Sequence, residues 1–387
     1  MTRDHLATRL VKGQAETPDG QPLTSPIYSS TTFVFDSAED VRQYQQGRSR
    51  KYLYSRYENP TVVEVEARLA ALDSAEMGLL FASGMAATAT ILMTLLKSGD
   101  EVVCSAAVYG GTVHLLKDVL AKFSLTTRFV TLEELREPAG VLGSRTRMIW
   151  FESPINPTLR CVDIKAIASA CRAANVLSVM DNTFATPVNQ QPLSLGVDLV
   201  MQSVTKYLNG HSDVTGGAVT GPRTIVDRIS KTRRLLGSVM DPVAAHALGR
   251  GLKTLLVRMD RHNANALAVA RALEEDNRVA RVYYPGLESH PDYGVAKAQM
   301  TGFSGMVTID LGTCERASRV FDRFRIVKRA ASLGGVESIA SLPVLTSHWG
   351  HSEQELAAAG ISPGTIRISV GLEDVGDLIA DLKQALE

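Results

Sequence analysis

The sequence predicts an α/β protein: a mostly parallel sheet with helices on both faces, followed by a smaller α+β unit. Three observations predict it. From about Thr61 onward, short apolar runs alternate with helical periodicity, the pattern of βαβ units. At 387 residues the chain is too long for one small core and suits a large domain with a smaller second one. Strand-like runs then return in the last third, at 279–284, 306–311 and 365–370, with helical segments between them.

The elements follow in order. The first sixty residues hold Pro18, Pro22, Pro26, a Ser/Thr run at 29–32 and a tyrosine cluster at 52–57, which reads as an arm (1–60) and not as a domain. The sheet domain is expected over 61–250. Val62, Val65, Leu69 and Leu72 share one helical face. Strands are expected at 101–105, 128–132, 148–151, 176–180 and 197–201, and the segment 163–174 reads as a helix with Asp163 as N-cap. One long helical stretch, 243–275, leads into the C-terminal unit (251–387).

Composition narrows the function. Apolar residues make up 45% and charged residues 21%, ordinary for a soluble globular protein. Lysines plus arginines number 41, as do aspartates plus glutamates, so no bulk field favours nucleic acid or an anionic membrane. Arg233-Arg234 reads as a solvated basic face. The charged N-terminus lacks the apolar core of a signal peptide. The longest apolar stretch, 85–96, is well short of the roughly 20 residues that span a bilayer. Cys104, Cys161, Cys171 and Cys314 show no metal-ligand spacing; Cys161 and Cys171 bracket a helix and Cys104 reads as strand core. The expectation is a cytoplasmic protein without a metal.

Chemistry-bearing residues recur just after the predicted strands, the edge at which parallel sheets bind ligands. Leu79-Leu-Phe-Ala-Ser83-Gly84-Met85 turns through Ser-Gly into a helix whose first N–H groups could hold a phosphate. Tyr109, in Tyr109-Gly110-Gly111, could stack on a flat heterocycle. Glu152-Ser-Pro-Ile-Asn156-Pro157 is a proline-stiffened loop presenting Asn156. Asp181 ends a strand, where a buried carboxylate calls for a cationic partner such as a protonated pyridine nitrogen. Ser203-Val-Thr205-Lys206 offers two hydroxyls and an amine whose pKa would fall on losing water, the state needed for a Schiff base. Singly, each has an ordinary reading: a turn, a core tyrosine, a capping aspartate, a surface lysine. Together, and in this order, they form the inventory for pyridoxal 5′-phosphate.

With those residues in place, the chain closely resembles the Cys/Met-metabolism (transsulfuration) family of pyridoxal-phosphate enzymes. The resemblance runs nearly end to end, through Tyr54-Ser-Arg56-Tyr-Glu58-Asn-Pro-Thr, Tyr109-Gly-Gly-Thr, Asp181-Asn-Thr-Phe, Ser203-Val-Thr-Lys206-Tyr-Leu-Asn-Gly, Ser332-Leu-Gly-Gly-Val-Glu337-Ser and Ile366-Arg367-Ile-Ser. It implies the aspartate-aminotransferase-like fold (fold type I) and pyridoxal 5′-phosphate as cofactor. It implies that Lys206 carries the Schiff base and shuttles protons, with Tyr109 stacked on the ring as the second catalytic candidate and Asp181 on the ring nitrogen. Gly84, Met85, Ser203 and Thr205 would hold the phosphate, which Tyr54 and Arg56 would reach from a neighbouring subunit. Asn156, Ser332 and Arg367 would orient the substrate, with Arg367 forked onto its α-carboxylate. A homotetramer, a dimer of active dimers, is implied as well.

Within the family the expectation is γ-elimination from L-cystathionine, with cystathionine γ-synthase, cystathionine β-lyase and methionine γ-lyase as alternatives. An aminotransferase would share the fold, and a catalytically silent, interaction-only member would leave the lysine, aspartate and arginine unexplained. Gly111 stands where the methionine γ-lyases of the family carry a cysteine, and Ser332-Leu333 where one branch of β-lyases has a tryptophan. Glu58 and Glu337 could meet the distal ammonium of cystathionine, although exposed glutamates would also read so. Ser347-His348-Trp349-Gly350-His351 departs from the family's Thr-His-small pattern, placing a bulky Trp349 near the expected substrate entrance.

Overall fold

In the computed structural model, residues 5–12, 22–347, 349, 350, 352, 354, 356 and 360–387 are described; Pro18, His348 and His351, named above, lie outside them. The larger sheet contains β1 (Met77–Phe81), β2 (Glu101–Ser105), β3 (Thr126–Val130), β4 (Thr146–Glu152), β5 (Leu177–Asp181), β6 (Leu199–Gln202) and β7 (Gly217–Gly221), in the order β1-β7-β6-β5-β4-β2-β3. Strands β2 to β6 pair in parallel. β7 is antiparallel to both β6 and β1, so β1 runs with the parallel set. The connections leaving β1, β2, β4, β5 and β6 therefore all open on one edge, where every chemical residue of the large domain was expected.

The helices that cover this sheet are specified locally. α1 (Pro60–Leu72) starts on Asn59, whose side chain accepts from the Thr61 N–H at 3.0 Å, with Pro60 preset for the first turn. Its Val62, Val65, Leu69 and Leu72 are all buried. α2 (Gly84–Leu95) is capped by Ser83, and α3 (Ile164–Ala174) by Asp163 as expected. α3 contains Cys171 instead of ending before it, and all four cysteines are free thiols.

One expectation is corrected outright. Arg233, on α4 (Arg223–Leu236), is not part of a solvated face but 2% exposed, because α4 turns that residue toward β1. Its guanidinium donates to the Glu66 carboxylate at 2.5 Å and to the Leu80 carbonyl at 2.6 Å; Glu66 in turn accepts the Leu80 N–H at 2.9 Å. One buried ion pair thus binds α1, β1 and α4. Replacing Glu66 by Ala leaves Arg233 charged and unpaired, so the unfolding free energy should drop by about 3–5 kcal/mol. The check is the urea midpoint at unchanged slope, and a variant as stable as the parent would refute this account.

The single long helix expected over 243–275 is two helices, α5 (Pro242–Leu252) and α6 (Leu255–Glu274). The break has a visible cause. Arg258 on α6 reaches back to the Gly251 carbonyl (2.9 Å), a donor of the kind a continuing helix would have provided, and is held there by the Thr254 hydroxyl (3.1 Å). Gly251 itself is pressed on Asn209, where a Cβ would come within 2.4 Å of the carbonyl oxygen.

The second sheet holds β8 (Arg281–Tyr283), β9 (Met306–Asp310), β10 (Lys328–Arg329), β11 (Ile339–Ser341) and β12 (Thr365–Ser369), in the order β10-β11-β12-β9-β8. Val307, Ile309, Ile366 and Ile368 face α6, α7 (Cys314–Arg323) and α8 (Val375–Ala385) across a core that includes Leu273, Val320, Leu378 and Leu382. Among the described residues no helix is long and apolar enough to cross a membrane, and no group of three or more His, Cys, Asp or Glu could hold a metal ion.

Candidate active site

The edge formed by β1, β2, β4, β5 and β6 collects most of the expected residues. Lys206 lies four residues past β6, in a turn whose Tyr207, Leu208 and Val204 are buried. Its Nζ donates to Ser332 Oγ at 2.7 Å. Burial, and next the positive charge of Arg367, pull the amine down to about 8, while Asp181 works in the opposite direction. Such an amine is partly neutral at physiological pH and can attack a carbonyl.

Ser332 lies in the loop between β10 and β11 and has a φ of +91°, a strained conformation for a residue with a side chain. Its carbonyl accepts from Arg367 Nη2 at 2.8 Å, while Arg367 Nη1 donates to Asn156 Oδ1 at 2.9 Å. These bonds hold the guanidinium in one plane. They also turn the Asn156 amide so that its NH2 faces away from Arg367, available to an oxygen of a ligand. Arg367 belongs to β12 and Asn156 to the loop after β4, so both sheets build this fork.

Asp181 is the last residue of β5. Burial raises its pKa, against the Thr183 N–H donated to Oδ1 at 3.0 Å and the field of Lys206. Thr183 then accepts the Ser203 N–H through its hydroxyl at 2.8 Å, linking the strand ends of β5 and β6. Thr183 carries no role visible from the chain alone; a threonine two residues after a strand-terminal aspartate is the one signal for it. Ser203 in turn lies against the start of α2: a Cβ on Gly84 would meet the Ser203 side chain at 3.2 Å. The Gly84 and Met85 amides occupy the first turn of a twelve-residue helix and have no intrahelical acceptor. Thr205 is held by Gly216, whose N–H it accepts at 2.9 Å. The Tyr109 ring, 49% exposed, lies over Gly111, where a Cβ would fall 2.5 Å from the ring and 3.0 Å from the Met85 sulfur.

These residues fit pyridoxal 5′-phosphate. A reactive amine, a half-buried carboxylate awaiting a cation, a half-exposed aromatic ring and a helix N-terminus beside Ser203, with Thr205 two residues further on, match its aldehyde, ring nitrogen, ring and phosphate. Four expected residues are not gathered here. Arg56 packs on Tyr54 and Tyr57 and donates to the Arg234 carbonyl, and Glu58 pairs with Arg234 at 2.8 Å. Glu337 is exposed, with Ser212 Oγ 3.4 Å from its carboxylate. A cavity of about 840 Å³ opens beside the fork, lined by Asn156, Gly110, His114, Lys117 and, at 74% exposure, Trp349.

Fold and site together define a fold type I pyridoxal-phosphate enzyme. The chain belongs to the Cys/Met metabolism PLP-dependent enzyme family, whose profile matches residues 7–387. It is 42% identical over 388 residues to the cystathionine gamma-lyase of Rattus norvegicus, covering 99% of this chain and 95% of that protein. It is 41% identical over 369 residues to an L-methionine gamma-lyase of Pseudomonas deceptionensis, covering 94% and 92%. The crystal structure of metB from Corynebacterium glutamicum superposes with a TM-score of 0.92 at 37% identity, over 99% of this chain and 98% of that one. The protein is therefore an enzyme of carbon–sulfur lyase or related γ-replacement chemistry, with pyridoxal phosphate as its cofactor. Overall identity does not separate the activities.

Proposed function

We propose that the enzyme cleaves the Cγ–S bond of L-cystathionine, giving cysteine, 2-oxobutyrate and ammonia. The observation that carries this reading is the position of one depressed-pKa amine, Lys206, between the Ser332–Arg367–Asn156 fork and the Asp181 side of the site. γ-Elimination needs one base that serves Cα and then Cβ, with a pKa near the working pH.

When bound, pyridoxal phosphate supplies an electron sink conjugated to the substrate's amine. Gly84, Met85, Ser203 and Thr205 would anchor its phosphate, Asp181 would hold the ring nitrogen protonated, and Tyr109 would cover the ring face. Arg367 would take the α-carboxylate in its preset plane, with Asn156 beside it. Lys206, released as the substrate's amine takes its place, would remove the Cα proton, then move the Cβ proton and deliver one to the departing sulfur. Ser332 Oγ would steady the amine between these positions. The tight packing of Gly111 against Tyr109 and Met85 speaks against the cysteine of the methionine γ-lyase pattern.

We further propose a cytoplasmic homotetramer, divided into an arm (1–60), a cofactor domain (61–250) and a C-terminal domain (251–387). Tyr54, Arg56 and Glu58 lie on the arm, clear of the Lys206 cluster of their own chain, which suits a contribution across a subunit interface. Glu337 would remain at the rim of the site.

The deciding experiment is product analysis. With cystathionine alone, cysteine and 2-oxobutyrate are expected in equal amounts. Pyruvate with homocysteine would replace this reading by β-lyase, and methanethiol from methionine as the preferred reaction by methionine γ-lyase. Cystathionine formed from cysteine and an O-acylhomoserine, without 2-oxobutyrate from cystathionine, would replace it by γ-synthase. Release of a keto acid without a thiol would point to transamination.

A further inference from the structure

Behind the Tyr109 and Asp181 positions lies a second carboxylate that the mechanism above does not use. Glu152 ends β4 directly beside Asp181, its register partner at the end of β5, and it is 5% exposed. Glu152 Oε1 accepts the backbone N–H of Tyr109 at 2.6 Å, crossing from β4 to the loop after β2. The groups facing it are that N–H, the Asp181 carboxyl and the Cys104 thiol of β2; no ion pair to it occurs among the described residues.

Glu152 is buried and Asp181 half-buried, and with their carboxyls on adjacent strand ends each disfavours the ionised form of the other unless cations compensate. Asp181 has the field of Lys206 and would face the ring nitrogen of the cofactor, whereas Glu152 has only a neutral amide donor. The proton of the pair therefore belongs on Glu152. Burial and the neighbouring Asp181 both push the Glu152 carboxyl upward, in keeping with that arrangement.

We infer that Glu152 is a positioning residue for the cofactor: a neutral carboxylic acid that fixes Tyr109 from behind and leaves the negative charge of the pair on Asp181. It holds the backbone from which the stacking ring projects, so its removal is felt at the ring face and not at the reacting atoms. The inference concerns cofactor binding and is independent of which sulfur amino acid is cleaved.

The test titrates apoenzyme with pyridoxal phosphate, without substrate, and records affinity and the induced visible circular dichroism. Glu152→Gln keeps a neutral acceptor for the Tyr109 N–H, and its cofactor affinity should stay within about threefold of the parent. Glu152→Ala leaves that N–H buried and unpaired, so affinity should weaken by roughly tenfold or more, with a reduced dichroic signal. Infrared difference spectra should show a carboxylic-acid carbonyl band in the parent that Glu152→Gln removes, a readout that stands even if the alanine variant does not fold. A glutamine variant that binds as poorly as alanine, an alanine variant that binds normally, or a missing acid band would each overturn the inference. Failure of the cystathionine reading would leave all three measurements untouched.

Discussion

Lys206→Ala should yield a folded protein with no visible absorbance from covalently held cofactor and with turnover reduced by at least about a thousandfold. The size follows from the two roles assigned to one amine, anchoring the cofactor and carrying protons between carbons. Ser332 Oγ, 2.7 Å away, cannot replace it, because a hydroxyl next to no base is a poor proton acceptor at neutral pH. The same amine predicts a pH dependence. Its pKa lies near 8 instead of the ordinary 10.5, and only the neutral form attacks the aldehyde. The rate at which apoenzyme captures pyridoxal phosphate should therefore rise with pH and reach half its plateau near pH 8. A half-point near 10.5, or normal turnover in the alanine variant, would refute the assignment.

Asp181→Asn is the second large effect. The amide keeps the shape and can still accept the Thr183 N–H, but it removes the only negative charge proposed to face the ring nitrogen. An electrostatic contribution of this kind in a buried site is worth roughly a hundredfold or more in rate. The expected result is a fall in kcat/KM of that order with cofactor still bound and Arg367 still competent for the substrate's carboxylate, so KM should move far less than kcat. Full activity in Asp181→Asn would show that the ring needs no anion there. Equal losses in kcat and substrate affinity would instead point to collapse of the fork.

Much of this was legible in the chain because strand ends and ligand edges coincide in parallel sheets. Ser83-Gly84, Tyr109, Asn156, Asp181 and Lys206 each follow an apolar run, and each run became a strand or the end of one. What escaped has physical reasons. β7 is Gly-Ala-Val-Thr-Gly, too small and glycine-rich to look like a strand, yet only such residues pass Ser83, where a Cβ on Gly217 would lie 2.4 Å from the carbonyl oxygen. β10 and β11 are two and three residues long, below any useful periodicity. The run expected at 128–132 pairs as Thr126–Val130, because the edge strand is half polar and periodicity sets its limits weakly. Arg233 looked solvated because no local pattern reveals a partner 167 residues earlier. The α5–α6 break depends on one long side chain folding back on its own helix start. Glu152 and Thr183 were in view as letters, but their bonds to Tyr109 and Ser203 join different strands. Tyr54, Arg56 and Glu58 belong to a segment whose proposed work lies in another subunit, which a single chain cannot bring together.

Ser332 gives the site an interlock. A single residue offers its hydroxyl to the Lys206 amine and its carbonyl to the Arg367 guanidinium, and its backbone at φ +91° has little slack to serve them separately. On the proposed roles, a substrate carboxylate that loads Arg367 would be felt, through Ser332, at the partner of Lys206. By reciprocity, an amine that has left Ser332 makes the guanidinium easier to recruit. On the proposed roles, docking of the substrate's acid end and release of the lysine would be two faces of one event, and an amine lacking the α-carboxylate would fail to trigger the lysine as well as fail to bind.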